Sequence, residues 1–310
     1  GFKIYSSYDA RLQTIADEVY ADSSFFPAAA SDGTPIQSAM AVVDTNNGAV
    51  LAMIGGRDYT VRRGLNRATQ MPRQPGSALK PLAVYGPALE LGYTTASVLL
   101  DEKTSFGGYT PRNAGDRYYG LVTMRTAIRN SLNTTAVRLL EEIGLDASIQ
   151  YLNKMGIPTR NSDRNLSLAL GSMTYGVTPV ELAAAYVPYA NGGIYHQPYC
   201  VERIETVDGS NVYERKDSGK QVLSAQNAFL MTSLLQSVVS SGTGTRMLAA
   251  NTPIAGKTGT VSMTGGNRDI WMTAYTPEIS VAVWMGYDQT DAKHKISNGI
   301  TGGRNTASLA

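Results

Sequence analysis

The sequence predicts an α+β fold: a mainly antiparallel five-stranded sheet flanked by helices, with a helical subdomain. Two strand-like stretches stand near the start, within residues 36–56, and three near the end, within 253–287, while the residues between read mostly as helices. Strands that come in runs, rather than alternating one by one with helices, favour antiparallel pairing over βαβ units. No repeat or low-complexity linker divides the 310 residues, so one domain, residues 1–310, is expected.

Each element follows from local pattern. After an extended "KIYSSY", Asp9 is placed to cap a helix in which Leu12, Ile15, Ala16 and Val19 recur at helical spacing. "IQSAMAVVDTNNGAVLAMIGG" is two apolar runs around Asn46, Asn47 and Gly48, a β-hairpin with strong turn chemistry. Residues 57–76 are polar, basic and turn-rich, and lead to a helix expected from Ser77 through Leu91. Pro81 is tolerated there because it falls within the first turn or so, where N–H groups lack intrahelical partners. Helices are predicted at "VTMRTAIRNSL", "TTAVRLLEEIG", "ASIQYLNKMG" and "TPVELAAAYVPYA", separated by loops such as "YTPRNAGDRYYG" and "GIPTRNSDRN". A small hairpin, "CVERIETVDGSNVYERK", turns at Asp208 and Gly209, and "SAQNAFLMTSLLQSVVSS" reads as a helix capped by Ser224. The last strands are "PIAGKTGTV", "DIWMTAY" and "ISVAVWMGY", the final two joined at Thr276, Pro277 and Glu278.

Composition narrows the function. With 43% hydrophobic and 17% charged residues the chain can bury a sizeable core. A formal charge of +2 without blocks of like charge carries no footprint of nucleic-acid binding, so no nucleic-acid partner is expected. No apolar run approaches the roughly eighteen residues of a membrane span, and the first residues lack a signal-peptide layout. Cys200 is the only cysteine and cannot form an intramolecular disulfide; it is read as structural, although His196 lies nearby. His196 and His294 have no metal-ligand spacing, so neither metal nor cofactor is expected.

Three short motifs carry chemistry. In "QPGSALKP", Ser77 and Lys80 are three apart at a helix start, so one turn brings the lysine beside the serine Oγ. A serine hydroxyl needs a base to become a nucleophile. A lysine serves only if burial or a neighbouring positive charge lowers its pKa. Alone, the stretch reads more readily as a capped helix start with a solvated charge. In "RNSLNTT", Ser131 and Asn133 can present a hydroxyl and an amide in one direction, suited to relaying a proton and binding a peptide; a helix end and a capping Asn133 are the plainer reading. In "GKTGT", Lys257 supplies positive charge, Thr258 and Thr260 supply hydroxyls, and Gly259 lets a backbone or ligand approach the strand, whose edge can hold an extended peptide.

Each motif occurs once, in order, at a helix start, between helices and on a strand. Serine-x-x-lysine with a Ser/Asn triplet and K-T-G is the set found in penicillin-binding proteins and class A β-lactamases. The chain resembles the transpeptidase domain of class A, bifunctional penicillin-binding proteins. Framework segments such as "AVVDTNNGAVLAMIGGRDY", "NRATQMPRQPGSALKPLAVYGPALELG", "ALGSMTYGVTPVELAAAYVPYANGGIYHQP" and "YTPEISVAVWMGYD" extend the likeness over nearly the whole chain.

The resemblance implies a serine D,D-transpeptidase that cross-links peptidoglycan stem peptides and is blocked by β-lactams. Ser77 would be the nucleophile and Lys80 its base. Ser131 would pass a proton to the leaving amine, while Asn133 and Lys257 position substrate and tune the lysine's charge. Thr258, Gly259 and Thr260 would bind substrate, the two threonines at its terminal carboxylate, and the N–H groups of Ser77 and Thr260 would form the oxyanion hole. Donor and acceptor stem peptides are the partners implied, and β-lactams bind covalently at Ser77. The loops "TSFGGYTPRNAGDRYYG" and "VSMTGGNRD" are expected to border the cleft. The family continues past "TGGRNTASLA" into a further helix, expected to be missing or altered here. Its glycosyltransferase domain and membrane anchor normally lie upstream, which implies a fragment of a protein anchored at the extracytoplasmic face of the bacterial membrane. Two alternatives stay open: a β-lactamase, although no Glu-x-x-Leu-Asn element is found, and a non-catalytic sensor or peptidoglycan-binding domain with the same pocket.

Overall fold

Residues 1–248 and 252–310 are described by a computed structural model. In chain order the elements are β1 (Phe2–Ser6), α1 (Ala10–Ala21), β2 (Gln37–Asp44), β3 (Val50–Ile54), and three consecutive helical segments, Gly76–Leu79, Pro81–Tyr85 and Gly86–Glu90, together called α2. They continue with β4 (Val98–Asp101), β5 (Gly120–Thr123), α3 (Met124–Arg129), α4 (Asn133–Ile143), α5 (Leu145–Lys154), α6 (Pro179–Ala190), β6 (Val201–Thr206) and β7 (Asn211–Glu214). The last are α7 (Ala225–Ser241), β8 (Ala255–Met263), β9 (Gly266–Tyr275), β10 (Ile279–Gly286) and a helical end comprising Gly302–Thr306 and α8 (Ala307–Leu309).

The five-stranded sheet is present, in the order β8-β9-β10-β2-β3, with every neighbouring pair antiparallel. The two ends of the chain meet at its centre, where Trp284 of β10 lies opposite Ala39 of β2. Because successive side chains leave a strand on opposite faces, Ala39, Ala41 and Val43 join Leu79, Leu82, Ala183 and Tyr186 of α2 and α6 in the larger core. Met40 and Val42 join Ala16 of α1 and Leu309 in a smaller core on the other face. The sheet is thus a middle layer between helices.

Several expectations are corrected. The 77–91 helix is not regular: it opens at Gly76 as a 3₁₀ turn, loosens to π geometry over Pro81–Tyr85, and becomes α-helical only at Gly86. Pro81 and Pro87 lack the N–H groups a continuous α ladder requires. Two buried tyrosines of α6 donate to other carbonyls of the loosened segment, the Tyr186 hydroxyl to that of Ala78 at 2.6 Å and the Tyr189 hydroxyl to that of Pro81 at 2.9 Å. Ser77 is not a cap; Pro75 holds that position without a side-chain bond. Asn133 is likewise the first helical residue, after Leu132. The segment "VTMRTAIRNSL" begins as strand β5, paired with β4, before Thr123 caps α3 through the Thr126 N–H. "VSMTGGNRD" is not an open loop, because β8 and β9 continue to a tight turn at Thr264 and Gly265, the glycine at φ +74. The helical end packs on β8 and β9 and comprises a π segment, Gly302–Thr306, followed by a short α turn, Ala307–Leu309. The N-terminal stretch pairs with the small hairpin in a separate sheet, β1-β6-β7.

Candidate active site

The site forms where α2 starts against the free edge of β8. A side chain on Gly76, at φ +55, would come within 2.8 Å of the Thr260 carbonyl, and one on Gly259 within 2.3 Å of the Pro75 carbonyl. Two glycines therefore let helix and strand touch backbone to backbone. In an extended strand the N–H and C=O of one residue leave on the same side. The Thr260 N–H accordingly faces the Ser77 turn, as its carbonyl does.

Ser131 joins two helices. Its N–H donates to the Ile128 carbonyl at 3.1 Å and that of Leu132 to Ala127 at 2.9 Å, the paired closure that ends a helix with one residue in left-handed geometry. Ser131 is that residue, at φ +55, where glycine would be unstrained. Its hydroxyl is held by the two lysines around it.

Two buried lysines converge on that hydroxyl. Lys257 Nζ donates to Ser131 Oγ at 2.9 Å and to the Thr258 carbonyl at 3.0 Å. Lys80 Nζ lies 3.3 Å from Ser131 Oγ and donates to the carbonyls of Ser131 (2.7 Å) and Leu132 (3.0 Å) and to Asn133 Oδ1 (2.7 Å). Both lysines are 0% exposed. Burial, and next the charge of Lys257, push the Lys80 amine well below its ordinary pKa, with Asp101 opposing. Burial lowers Lys257 to about 7.

Of the residues singled out from sequence, Ser77, Ser131, Asn133, Thr258 and Thr260 line one cavity of about 510 Å³. Lys80 and Lys257 lie buried beside it. Ser77 and Lys80 are one turn apart, but the lysine's bonds go to the 131–133 turn rather than to Ser77 Oγ, because a buried amine gathers the nearest oxygens. Gly259, expected among the substrate-binding residues, does not line the cavity; its open side is filled by Pro75. Both loops expected at the rim contribute, through Arg112 and Asn113 on one side and Ser262 and Asn267 on the other.

Sequence reasoning missed the support beneath Asn133. Asn113 Oδ1 accepts from the N–H groups of Asn133 (2.7 Å) and Thr134 (3.3 Å), satisfying two free donors at the start of α4. Asn113 Nδ2 donates to the buried Asp101 carboxylate at 2.8 Å, which also accepts from Thr134 Oγ1 and, at 3.0 Å, from the Tyr119 N–H. Asn133 Nδ2 donates to the Arg112 carbonyl at 2.7 Å, which leaves Oδ1 for Lys80. Thr243, at the end of α7, shares a 2.8 Å hydrogen bond with Thr258. One asparagine in a polar loop carries no pattern that would mark it.

A family model described as the penicillin-binding protein transpeptidase domain matches residues 38–308. The chain is 43% identical over 305 residues to penicillin-binding protein 1F of Bacillus subtilis (strain 168), covering 96% of this chain and 41% of that protein. It is 36% identical over 306 residues to penicillin-binding protein 1A of Clostridium botulinum (strain Langeland / NCTC 10281 / Type F), covering 94% and 37%. The chain therefore spans about two fifths of the length of these relatives. Its fold matches the penicillin-binding protein PonA1 from Mycobacterium tuberculosis with a TM-score of 0.85 at 25% identity, covering 100% of this chain and 83% of that one. PonA1 in complex with penicillin V matches with a TM-score of 0.82 at 25% identity, covering 100% and 84%.

Proposed function

The chain belongs to the penicillin-binding protein transpeptidase family, on the class A side that its framework segments resemble, and on that premise we propose that it is a serine D,D-transpeptidase acting on peptidoglycan stem peptides. Ser77 Oγ attacks the carbonyl between the two terminal D-alanines. The Oγ–C bond forms and the C–N bond breaks, and the serine's proton ends on the departing D-alanine amine. Lys80 takes the proton first, its Nζ leaving one oxygen of the 131–133 turn for Ser77, and Ser131 delivers it. Asn133 and Lys257 hold the substrate and the lysine's charge state, and Thr258 and Thr260 bind the terminal carboxylate. The N–H groups of Ser77 and Thr260 face the charge that develops on the carbonyl oxygen. An amine from a second stem peptide then takes the acyl group. A β-lactam enters the first half of this sequence and stays on Ser77.

The observation that carries this reading is the Ser131 hydroxyl, held between two buried lysines at the cavity that Ser77 lines. Burial, and at Lys80 also the charge of Lys257, keep at least one amine ready to give up its proton near neutrality, which a serine nucleophile requires. The reading extends to organisation and place: one transpeptidase domain of a longer protein that works at the extracytoplasmic face of the bacterial membrane, where the proposed substrate lies. Among the described residues no helix is long and apolar enough to cross a membrane.

Incubation with a penicillin, followed by intact mass over time, tests the assignment. One long-lived adduct is expected on the wild type and none on Ser77→Ala. Absence of an adduct on the wild type sinks the nucleophile, and rapid adduct loss with drug turnover makes the protein a β-lactamase. A cross-linking assay with stem peptides and an amine acceptor separates the transpeptidase from an acylated sensor.

A further inference from the structure

We propose that a second arm of the cleft, meeting the first at Ser131, is the seat of the acceptor, an anionic peptide that presents a primary amine. The inference rests on the transpeptidase reading and adds the place where the second substrate sits.

Beside the 510 Å³ cavity lies another of about 330 Å³. Asn113, Asn130, Ser131 and Thr243 line both. Ser77, Thr258 and Thr260 line only the first; Arg117, Tyr119 and Ser241 line only the second, which runs between the 113–119 loop and the end of α7. Ser131 is thus a junction. A donor acyl group on Ser77 occupies the first arm, so a second peptide needs another approach, and its amine must come to the hydroxyl that exchanges protons there.

The walls are held in place. The Arg117 carbonyl accepts from Asn113 Nδ2 at 2.9 Å, and the Tyr119 N–H donates to the buried Asp101. On the far side, a side chain on Gly242 would come within 2.5 Å of the Arg129 carbonyl, so α7 ends directly against α3. The arm is preformed by the same buried pair that supports Asn133.

Charge selects the occupant. Among the described residues no aspartate or glutamate lines either arm, while exposed Arg112 lines the first and exposed Arg117 the second. Asp101 is turned away behind Asn113 and Tyr119, and Asp116 stands near Arg112 rather than in the lining, so Arg117 is the charge the second arm presents. An amine attacks only as the free base, and a lining cation disfavours its ammonium form. Carboxylates further along the acceptor find Arg117. In the transfer the amine nitrogen bonds to the acyl carbon and the C–Oγ bond of Ser77 breaks. The proton lost by nitrogen passes to Ser131, whose own proton goes on, through the lysine, to Ser77 Oγ.

Three reactions test the arm in Ser241→Trp, which fills it, and Arg117→Glu, which reverses its charge: acylation by penicillin, exchange of labelled free D-alanine into a stem peptide ending in two D-alanines, and transfer from that donor to a second stem peptide with a free amine. Free D-alanine re-enters through the leaving group's place at Thr258 and Thr260, so it needs only the first arm. Both variants are expected to lose transfer to the peptide acceptor by roughly tenfold or more, with acylation and exchange, measured at saturating penicillin and donor so that capture by the rim charges does not limit, within about twofold of wild type. Unchanged peptide transfer overturns the arm, and so does an equal fall in all three reactions. Wild-type exchange without any peptide transfer overturns it too. A wild type that forms no penicillin adduct fails earlier, at the nucleophile, and is recognised by that.

Discussion

At the residue scale the site is a question of where one proton sits among Lys80, Ser131 and Lys257. The two amines share one hydroxyl and both are buried. Burial lowers Lys257 to about 7 and, with the charge of Lys257, lowers Lys80. If Lys80 must be neutral to take the Ser77 proton, acylation rises with pH as that amine deprotonates. Below about pH 7 Lys257 is charged and repels a proton from Lys80. Lys257→Met removes the repulsion, so Lys80 keeps its proton to higher pH, and the rising limb of the acylation profile is expected to move upward. Penicillin acylation rates across pH 5 to 9 check it, and a limb that stays or moves down refutes the coupling. The residues of this triangle were legible because their types and order are unusual together. That Lys80 points to the 131–133 turn was not, because spacing along a helix fixes a side chain's face but not which oxygen it reaches.

At the element scale the critical contact is backbone on backbone, α2 against β8. The motif made Gly259 look like a ligand contact, whereas its missing Cβ makes room for the Pro75 carbonyl. Gly259→Ala is therefore expected to push the start of α2 off the strand. Overpacking of this kind costs about 1–3 kcal/mol of stability, measurable by urea unfolding. The separation of Ser77 from Thr260 is expected to slow penicillin acylation by roughly a hundredfold. A variant with full stability and only weakened substrate binding would return Gly259 to the ligand. Regular elements such as α1, the β2–β3 hairpin and α7 were readable from period and caps. The loosened middle of α2 was not, since its carbonyls depend on tyrosines more than a hundred residues away. Nor was the β4–β5 ladder, four residues a side and partly exposed, which offers too short a period to read.

At the scale of the whole molecule, the sheet's order could be read only as a class. Runs of strands at both ends imply antiparallel pairing, but the register that sets Trp284 opposite Ala39 depends on packing between distant segments. Net charge misleads in a similar way. A total of +2 suggests an almost neutral protein, yet among the described residues the cleft is lined by two rim arginines and by no acid, with Asp116 near Arg112 but outside the lining. A concave site lined by one sign focuses its field and draws in an anion even when the molecule as a whole is near neutral. Penicillin carries a carboxylate, so its acylation rate at limiting concentration is expected to fall several-fold between about 0.01 M and about 1 M salt, as the screening length shrinks from about 30 Å to about 3 Å. Arg112→Gln removes the rim charge nearest the first arm and should flatten that dependence, while leaving the high-salt rate close to wild type because no bond to the reacting atoms is lost. A wild-type rate indifferent to salt, or an unchanged slope in Arg112→Gln, would mean that the cleft recognises its substrate by contact alone.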